Sequence, residues 1–255
     1  PSSTTGRHPI TWPRSRFAAS RSVVEGDAVT APRLMNSSTL PCGAAPRVDD
    51  SVPLERIWLD ETSWVDVARG WMRDSTGVYA LLADAVPWRQ SRLWRYDHYV
   101  EEPRLGASCP ITGPLPHPVL LDAHKAIQRR YKHRFAGFGL AFYRDGRDGQ
   151  AFHRDRDLRH CEDTVIAILS LGARRPWLLR PHARRNRLIA DRLGTTHDLA
   201  PASGDLIVLG GRCQLDWEHS VPRLLGAGGV GAGRISAQWR WTSGRGRPEI
   251  GPSYR

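Results

Sequence analysis

The sequence predicts a mainly β domain with flanking helices, its strands folded into a double-sheet, jelly-roll-like barrel. Three observations point there. From Phe135 onward the chain breaks into many short strand-like runs separated by turn residues. Two longer segments before that point, Ser63–Met72 and Pro118–Tyr131, carry apolar residues at helical spacing. Strands that follow helices in this order pack as helices against a barrel.

Each element has its own warrant. Leu54, Ile57 and Trp58 read as an entry strand. Trp64, Val67, Ala68 and Trp71 recur at i, i+3, i+4 and i+7, which predicts a helix over Ser63–Met72. Trp88–Tyr99 is basic and aromatic and contains a strand. Val119, Leu120, Ala123, Ala126 and Ile127 give Pro118–Tyr131 one inward face. Gly137–Tyr143 is a strand, the turn at Arg144–Gly149 follows, and Gln150–Asp155 is the next strand. Thr164–Leu171 is apolar enough to be a buried strand, and Trp177–Arg180, His197–Leu199, Asp205–Leu209 and Arg234–Trp241 complete the set. Arg184–Arg192 is an arginine-rich loop. Residues 1–50, rich in Ser, Thr, Pro, Ala and Arg without periodicity, are expected to be a disordered tail. The expected domain is 51–248, with a C-terminal tail at 249–255.

Composition narrows the function classes. The chain has 255 residues, 40% of them hydrophobic, enough for one sizeable core or one domain plus a tail. No run approaches the roughly 18 apolar residues of a membrane span, and Pro1-Ser-Ser-Thr-Thr lacks the apolar core of a signal peptide. A soluble, cytoplasmic, monomeric protein with no membrane partner is expected. Cys42, Cys109, Cys161 and Cys213 form no C-x-x-C pair, so zinc and redox motifs are unsupported and free thiols are expected. The net charge of +11 attracts polyanions and makes a nucleic-acid partner plausible. The preference for Arg over Lys adds little, because with so much Ala, Gly and Pro it reflects base composition.

The chemistry is carried by Phe152-His153-Arg154-Asp155. Two residues spaced i, i+2 on a strand share one side, so His153 and Asp155 can converge. H-x-D alone is short and common. A turn built on Asp145-Gly146 and Asp148-Gly149 precedes it and would put the pair at a barrel mouth. A third ligand is needed. His160, His182 and His197 compete for the role, but His219, after the strand and Gly-Gly break of Ser203–Gly211, is better supported. Two imidazoles and one carboxylate suit a non-heme Fe(II) with open positions. In Arg234–Arg240, Arg234, Ser236, Gln238 and Arg240 share one face, while Ile235, Ala237 and Trp239 share the other. Two arginines on an inward face are costly unless they bind anions, and guanidinium matches carboxylate in a two-pronged fork.

These residues together resemble the AlkB family of Fe(II)/2-oxoglutarate dioxygenases, and its alkylation-repair branch with actinobacterial members in particular. Glu102–Leu105, Leu115–Val119, Tyr143–Gly146, Gly204–Leu206 and Gln214–Pro222 carry the likeness in order, over roughly residues 52–245. The resemblance implies a double-stranded β-helix (jelly-roll, cupin-like) core, with Fe(2+), 2-oxoglutarate and O2 as cofactor and cosubstrates. It implies His153, Asp155 and His219 as metal-binding catalytic residues, and Tyr143, Arg234, Ser236 and Arg240 as 2-oxoglutarate contacts. Arg234 would take the distal carboxylate, and Arg240 would lie nearer the iron. Asp157 would contact a flipped base, and Arg180 belongs to a basic segment that would hold substrate phosphates. The implied reaction is oxidative demethylation of N-alkylated bases in DNA or RNA.

Three departures stand out. Ala141 and Ser236 occupy positions where the family often has Asn. Gly106–Gly113 lacks the aromatic residues that pack around the base in related repair enzymes; Trp88, Trp94 or Trp217 are candidate substitutes. The competing readings are a 2-oxoglutarate oxygenase acting on a protein or small metabolite, and a non-catalytic nucleic-acid-binding barrel.

Overall fold

The structure, a computed structural model, describes residues 44–95, 97–182 and 196–247. The Arg184–Arg192 loop, most of the expected N-terminal tail and the C-terminal tail lie outside the described residues. No helix among the described residues is long and apolar enough to cross a membrane.

A strand already lies before residue 51, inside the expected tail. Strand β1 (Arg47–Val48) pairs antiparallel with β4 (Met72–Arg73). Between them lie β2 (Glu55–Trp58) and β3 (Ser63–Ala68). The helix expected over Ser63–Met72 is therefore a strand followed by a turn. The physical reason is double-sided burial. Five of the six β3 residues are buried, with Val65 and Val67 toward one side and Trp64 and Ala68 toward the other. A strand covered on both faces loses its alternating signature, so a chance helical spacing dominates. β-Branched Val65 and Val67 favour the strand, and Gly70 at φ 65° turns the chain out of it.

Helix α1 (Ser75–Ala85), not anticipated from the sequence, buries Val78 and Leu82 one turn apart. The Trp88 indole N–H donates to the Leu82 and Ala83 carbonyls at 3.1 and 3.2 Å, at the C-terminal end of the helix. Next come the hairpin β5 (Arg89–Arg95) and β6 (His98–Pro110), then helix α2 (Val119–Tyr131). All five residues expected inward on α2 are buried, and Lys132 closes it in the left-handed conformation at φ 57°.

The remaining elements are β7 (Gly137–Tyr143), β8 (Gln150–His153), β9 (Thr164–Gly172), β10 (Leu178–Pro181), β11 (His197–Asp198), β12 (Leu206–Gly211), a short helix α3 (Cys213–Asp216), β13 (Trp217–Val221) and β14 (Arg234–Thr242). β8 ends two residues earlier than expected, leaving Asp155 beyond the strand.

An eight-stranded sheet runs β2-β3-β12-β9-β14-β7-β6-β5 and a four-stranded sheet runs β11-β10-β13-β8. Val65, Ile166, Ile168, Ile207 and Leu209 of the large sheet pack with Leu179, Trp217 and Val221 of the small one, forming the layer between them. The other face of the large sheet, including Leu169, Leu171, Ile235, Ala237 and Trp239, packs with Val78, Leu82, Leu120 and Ile127 of the two helices. Each such side chain contributes about 1.5–3 kcal/mol by leaving water. This is the jelly-roll architecture with flanking helices. Cys109, Cys161 and Cys213 are buried free thiols.

Trp64 lies flat on Gly210, where an added Cβ would meet its ring carbon at 1.9 Å. Gly210→Ala is expected to destabilise by about 1–3 kcal/mol through overpacking. Gly77→Ala, in α1 with nothing within 4 Å of the new Cβ, is expected to stabilise by about 0.5–1 kcal/mol. Urea denaturation of both variants measures the pair.

Candidate active site

The two histidines are brought together by sheet register. β8 and β13 pair antiparallel with His153 directly opposite His219, and their ring centroids lie 4.3 Å apart. Cross-strand partners share a face, so the convergence follows from the ladder itself. Asp155 joins from the loop beyond β8. Its Oδ1 lies 3.6 Å from His153 Nε2 and 3.8 Å from His219 Nε2. One ligand atom from each of the three residues lies within 4.8 Å of the others. Strand alternation thus accounts for the histidine pair and not for the carboxylate.

The protonation states suit a metal. The Nδ1–H of His153 donates to the Ala151 carbonyl at 2.9 Å, so Nε2 is the ring nitrogen that faces the cluster. His219 is stacked on buried Trp177, with centroids 5.2 Å apart and planes 12° from parallel. Burial, with His153 beside it, pushes the His219 imidazole down to about 3, so it is neutral near pH 7. Burial raises the Asp155 carboxyl, but Arg240 and the two histidines outweigh it and hold the group well below the usual carboxylate range. Arg240 Nε donates to Asp155 Oδ2 at 2.7 Å, leaving Oδ1 to face the histidines. Two imidazoles and an ionised carboxylate, all reaching one point, fit Fe(II).

A second feature fits a dicarboxylate. Arg234 is fully buried on β14, yet only Nη2 has a partner, the Ser170 hydroxyl at 2.8 Å. Its Nε and Nη1 have none among the described residues. Burial pushes its pKa down to about 10, so it remains a cation at neutral pH. A buried guanidinium with idle donors is costly unless an anion completes it. Tyr143 lies alongside, its ring 6.0 Å from the Arg234 guanidinium and 5.4 Å from that of Arg175. Arg175, also fully buried, donates to the carbonyls of Asp145, Asp148 and Pro222 at 2.8–2.9 Å. It thereby braces the β7–β8 turn against the end of β13.

One cavity is lined by Tyr143, His153, Asp155, His219, Ser236 and Arg240 of the sequence candidates, with Ile166, Ile168 and Val221 as apolar wall. It also contains residues for which the sequence suggested no role. Arg104, on β6, places Nη1 3.4 Å from the Tyr143 hydroxyl. Gln238 accepts a hydrogen bond from Arg240, and Trp177 is the platform for His219. Gln238 was legible as a member of the polar face of β14. Arg104 lay within the Glu102–Leu105 motif, but nothing local shows that it turns inward.

The two Asn departures prove to be one place. Ala141 and Ser236 are register partners across β7 and β14, and Ser236 also faces Ser170 on β9. The wall beside Arg234 is therefore built of short side chains on three adjacent strands.

The substrate candidates separate. Asp157 is exposed, in the turn just after Asp155. Arg180 lies on the outer side of the small sheet: its neighbour Leu179 is the register partner of His219, whereas Arg180 pairs with Glu218 at 2.6 Å and lies 3.7 Å over the Phe152 ring. It does not converge with the metal cluster. Nor do the rival histidines. His160 is exposed, His182 contacts Glu218 and His197 lies against Trp217. Of the three candidate stacking residues, Trp88 is packed against Phe142 and bonded to α1, and Trp217 is buried with its N–H on Asp60. Trp94 is exposed, edge-on to Tyr99 near the tip of the β5–β6 hairpin.

Comparison with known proteins agrees with this geometry. Residues 110–240 match the 2OG-Fe(II) oxygenase superfamily. The mouse protein named alpha-ketoglutarate-dependent dioxygenase alkB homolog 3 is 30% identical over 197 residues, covering 70% of this chain and 68% of that protein. The human protein of the same name is 28% identical over the same length, with the same coverage. Among solved structures, a prolyl hydroxylase from Trichoplax adhaerens in complex with a hypoxia inducible factor peptide matches with a TM-score of 0.50 at 12% identity, over 70% of this chain and 83% of that one. That likeness concerns the fold alone. With a His-Asp-His cluster at the mouth of a jelly roll and sequence matches to its members, the chain belongs to the 2-oxoglutarate and Fe(II)-dependent oxygenases, as an AlkB-family dioxygenase.

Proposed function

We propose that this dioxygenase removes alkyl groups from the nitrogens of nucleic-acid bases, with His153, Asp155 and His219 holding the iron. The observation that carries the reading is the pairing of that cluster with a buried, half-partnered Arg234 on the adjoining strand face. Bound Fe(II), 2-oxoglutarate and O2 supply an oxidation that yields succinate and CO2 and hydroxylates the N-alkyl carbon, after which the hemiaminal releases an aldehyde. The chain's own residues bind and orient. Arg234 receives the distal carboxylate of 2-oxoglutarate, with the Tyr143 and Ser236 hydroxyls as further polar contacts. Arg240 holds Asp155 from behind and lends positive charge at the iron end. Trp177, Ile166 and Ile168 keep one side of the cavity dry.

The nucleic-acid assignment is supported by surface chemistry. The net charge is +11. The β5–β6 hairpin exposes Trp94 and Tyr99, at 61% and 66% of their surface, close to the exposed Arg92. Arg92 is paired with Glu101 at 2.9 Å, so it is the exposed aromatic faces that suit stacked bases. The strand that begins at this tip continues to Arg104 in the cavity, about 17 Å from Tyr99 at strand spacing. A substrate held by the hairpin can therefore present a flipped base to the site. The alternative, a protein or small-molecule substrate, draws on the absence of aromatic residues from Gly106–Gly113. Binding to methylated single-stranded DNA that weakens steeply with salt supports the first reading; no binding at low salt supports the second.

His153→Ala is expected to abolish succinate formation while leaving the circular dichroism spectrum unchanged; undiminished turnover would overturn the iron assignment. Trp94→Ala is expected to weaken binding of a methylated oligonucleotide by roughly fivefold or more, with uncoupled 2-oxoglutarate turnover preserved. A pH dependence follows from His219. Its folded pKa, about 3, lies below the ordinary 6.5, so between these values the unfolded chain takes up a proton that the folded one refuses. Stability of the chelator-treated protein should therefore fall as pH drops through that window. Urea midpoints at pH 7 and 5 measure it, and His219→Gln should show a shallower fall.

A further inference from the structure

The carboxylate of the metal cluster is the one ligand that the sheet does not fix. His153 and His219 are held by ladder register, whereas Asp155 lies past the end of β8. Its fastening comes largely from the short helix α3. Gln214 is fully buried, and its Oε1 accepts the Asp155 backbone N–H at 2.7 Å. Arg154, between the two ligands, donates to the Leu215 carbonyl at 2.9 Å. The Asp155 carbonyl in turn accepts the N–H groups of Leu158 and Arg159 at 3.0 and 2.9 Å, closing the following turn. α3 runs directly into β13, so the segment that holds the backbone of Asp155 also delivers His219 five residues after Gln214.

The other half of the Gln214 amide is idle. Its Nε2 is buried and has no partner among the described residues. Packing alone would favour Leu or Met here, since either fills similar space without an orphan donor. The assignment of oxygen toward Asp155 follows from chemistry, because a backbone N–H needs an acceptor. What the amide offers at this position is that acceptor.

We propose that Gln214 is a positioning residue for the metal centre: its side-chain oxygen fixes the backbone of Asp155, so that the carboxylate is already aimed at the two histidines when the metal arrives. This rests on the reading of His153, Asp155 and His219 as the iron site. Without the acceptor, the Asp155 backbone N–H loses its tie to α3, and the residue keeps the Arg240 bond to its carboxylate and the turn that its carbonyl closes. Outer partners of metal ligands typically govern affinity by about 10–100-fold.

The test uses Mn(II) binding, followed by the electron paramagnetic resonance of free Mn(II), and the ligand-field spectrum of bound Co(II). Neither depends on turnover. Gln214→Met, which keeps volume and removes the acceptor, should weaken Mn(II) binding by about tenfold or more and alter the Co(II) bands, with little change in the thermal midpoint of the metal-free protein. Gln214→Glu, which restores an oxygen at the same reach, should recover most of the affinity. Leu215→Ala serves as a packing control; it should lower the midpoint more than it lowers Mn(II) affinity. Wild-type affinity and an unchanged Co(II) spectrum in Gln214→Met would overturn the proposal. So would a loss of affinity that merely tracks the thermal midpoint, as in the control. If Gln214→Met does not fold, Arg154→Met cuts the second tie to α3 and carries the same expectation and the same refutation. Failure of the wild type to bind Mn(II), or undiminished binding in His153→Ala, would instead remove the iron-site reading itself.

Discussion

Strand alternation in β14 forces two arginines onto the inner face of the large sheet, and much of the site is arranged around that constraint. The opposite face of the strand is spoken for: Ile235, Ala237 and Trp239 are fully buried toward the helices. Arg234 and Arg240 must then face the interior between the sheets, where an unpaired guanidinium costs several kcal/mol. The two are neutralised differently. Arg240 has Asp155, 85 residues away in sequence. Arg234 has the Ser170 hydroxyl as its one hydrogen-bond partner among the described residues, with the Tyr143 ring nearby. The first pairing shapes the metal end of the cavity. The second leaves a cation waiting for an anion, which is what an enzyme using a dicarboxylate cosubstrate needs.

The metal cluster is a hybrid of rigid and fastened parts. Register on β8 and β13 sets the histidines opposite each other, beside a shift in register between His219 and Val221, and the Trp177 ring supports His219 from one side. Asp155 gains its place from long-range bonds, through its side chain to Arg240 and through its backbone to Gln214. Arg175 adds a brace on the turn before β8 through three carbonyl contacts. Pre-organisation of this kind spares the metal from having to order the loop, at the cost of buried polar groups that must each find a partner.

Site and surface are joined by β6. Its outer end bears the exposed Tyr99, next to Trp94 across the hairpin, and its inner length brings Arg104 to the cavity. The small residues Gly106 and Ser108 lie further along the same strand, paired with Ala141 and Gly139. The exposed aromatic pair sits at the hairpin tip, and Arg92 and Arg104 along the hairpin are paired with Glu101 and Glu102.

The sequence by itself determined the periodic parts. The inward face of α2, the two faces of β14, the limits of β7 and the buried run of β9 were all legible, because each carries its own local pattern of apolar and polar residues. His153, Asp155 and His219 were legible as a set through their order and the turn before them. Other features were decided only by tertiary structure, where the pattern is either erased or non-local. Ser63–Ala68 is buried on both faces, so no alternation remained to distinguish strand from helix. That Arg180 faces Glu218 and not the metal cluster follows from a one-residue step along β10 relative to Leu179, the partner of His219. Which arginine meets Asp155, which glutamine caps its backbone and which tryptophan underlies His219 depend on strand order and register. Those are set by the packing of the two sheets, and no short window of sequence contains them.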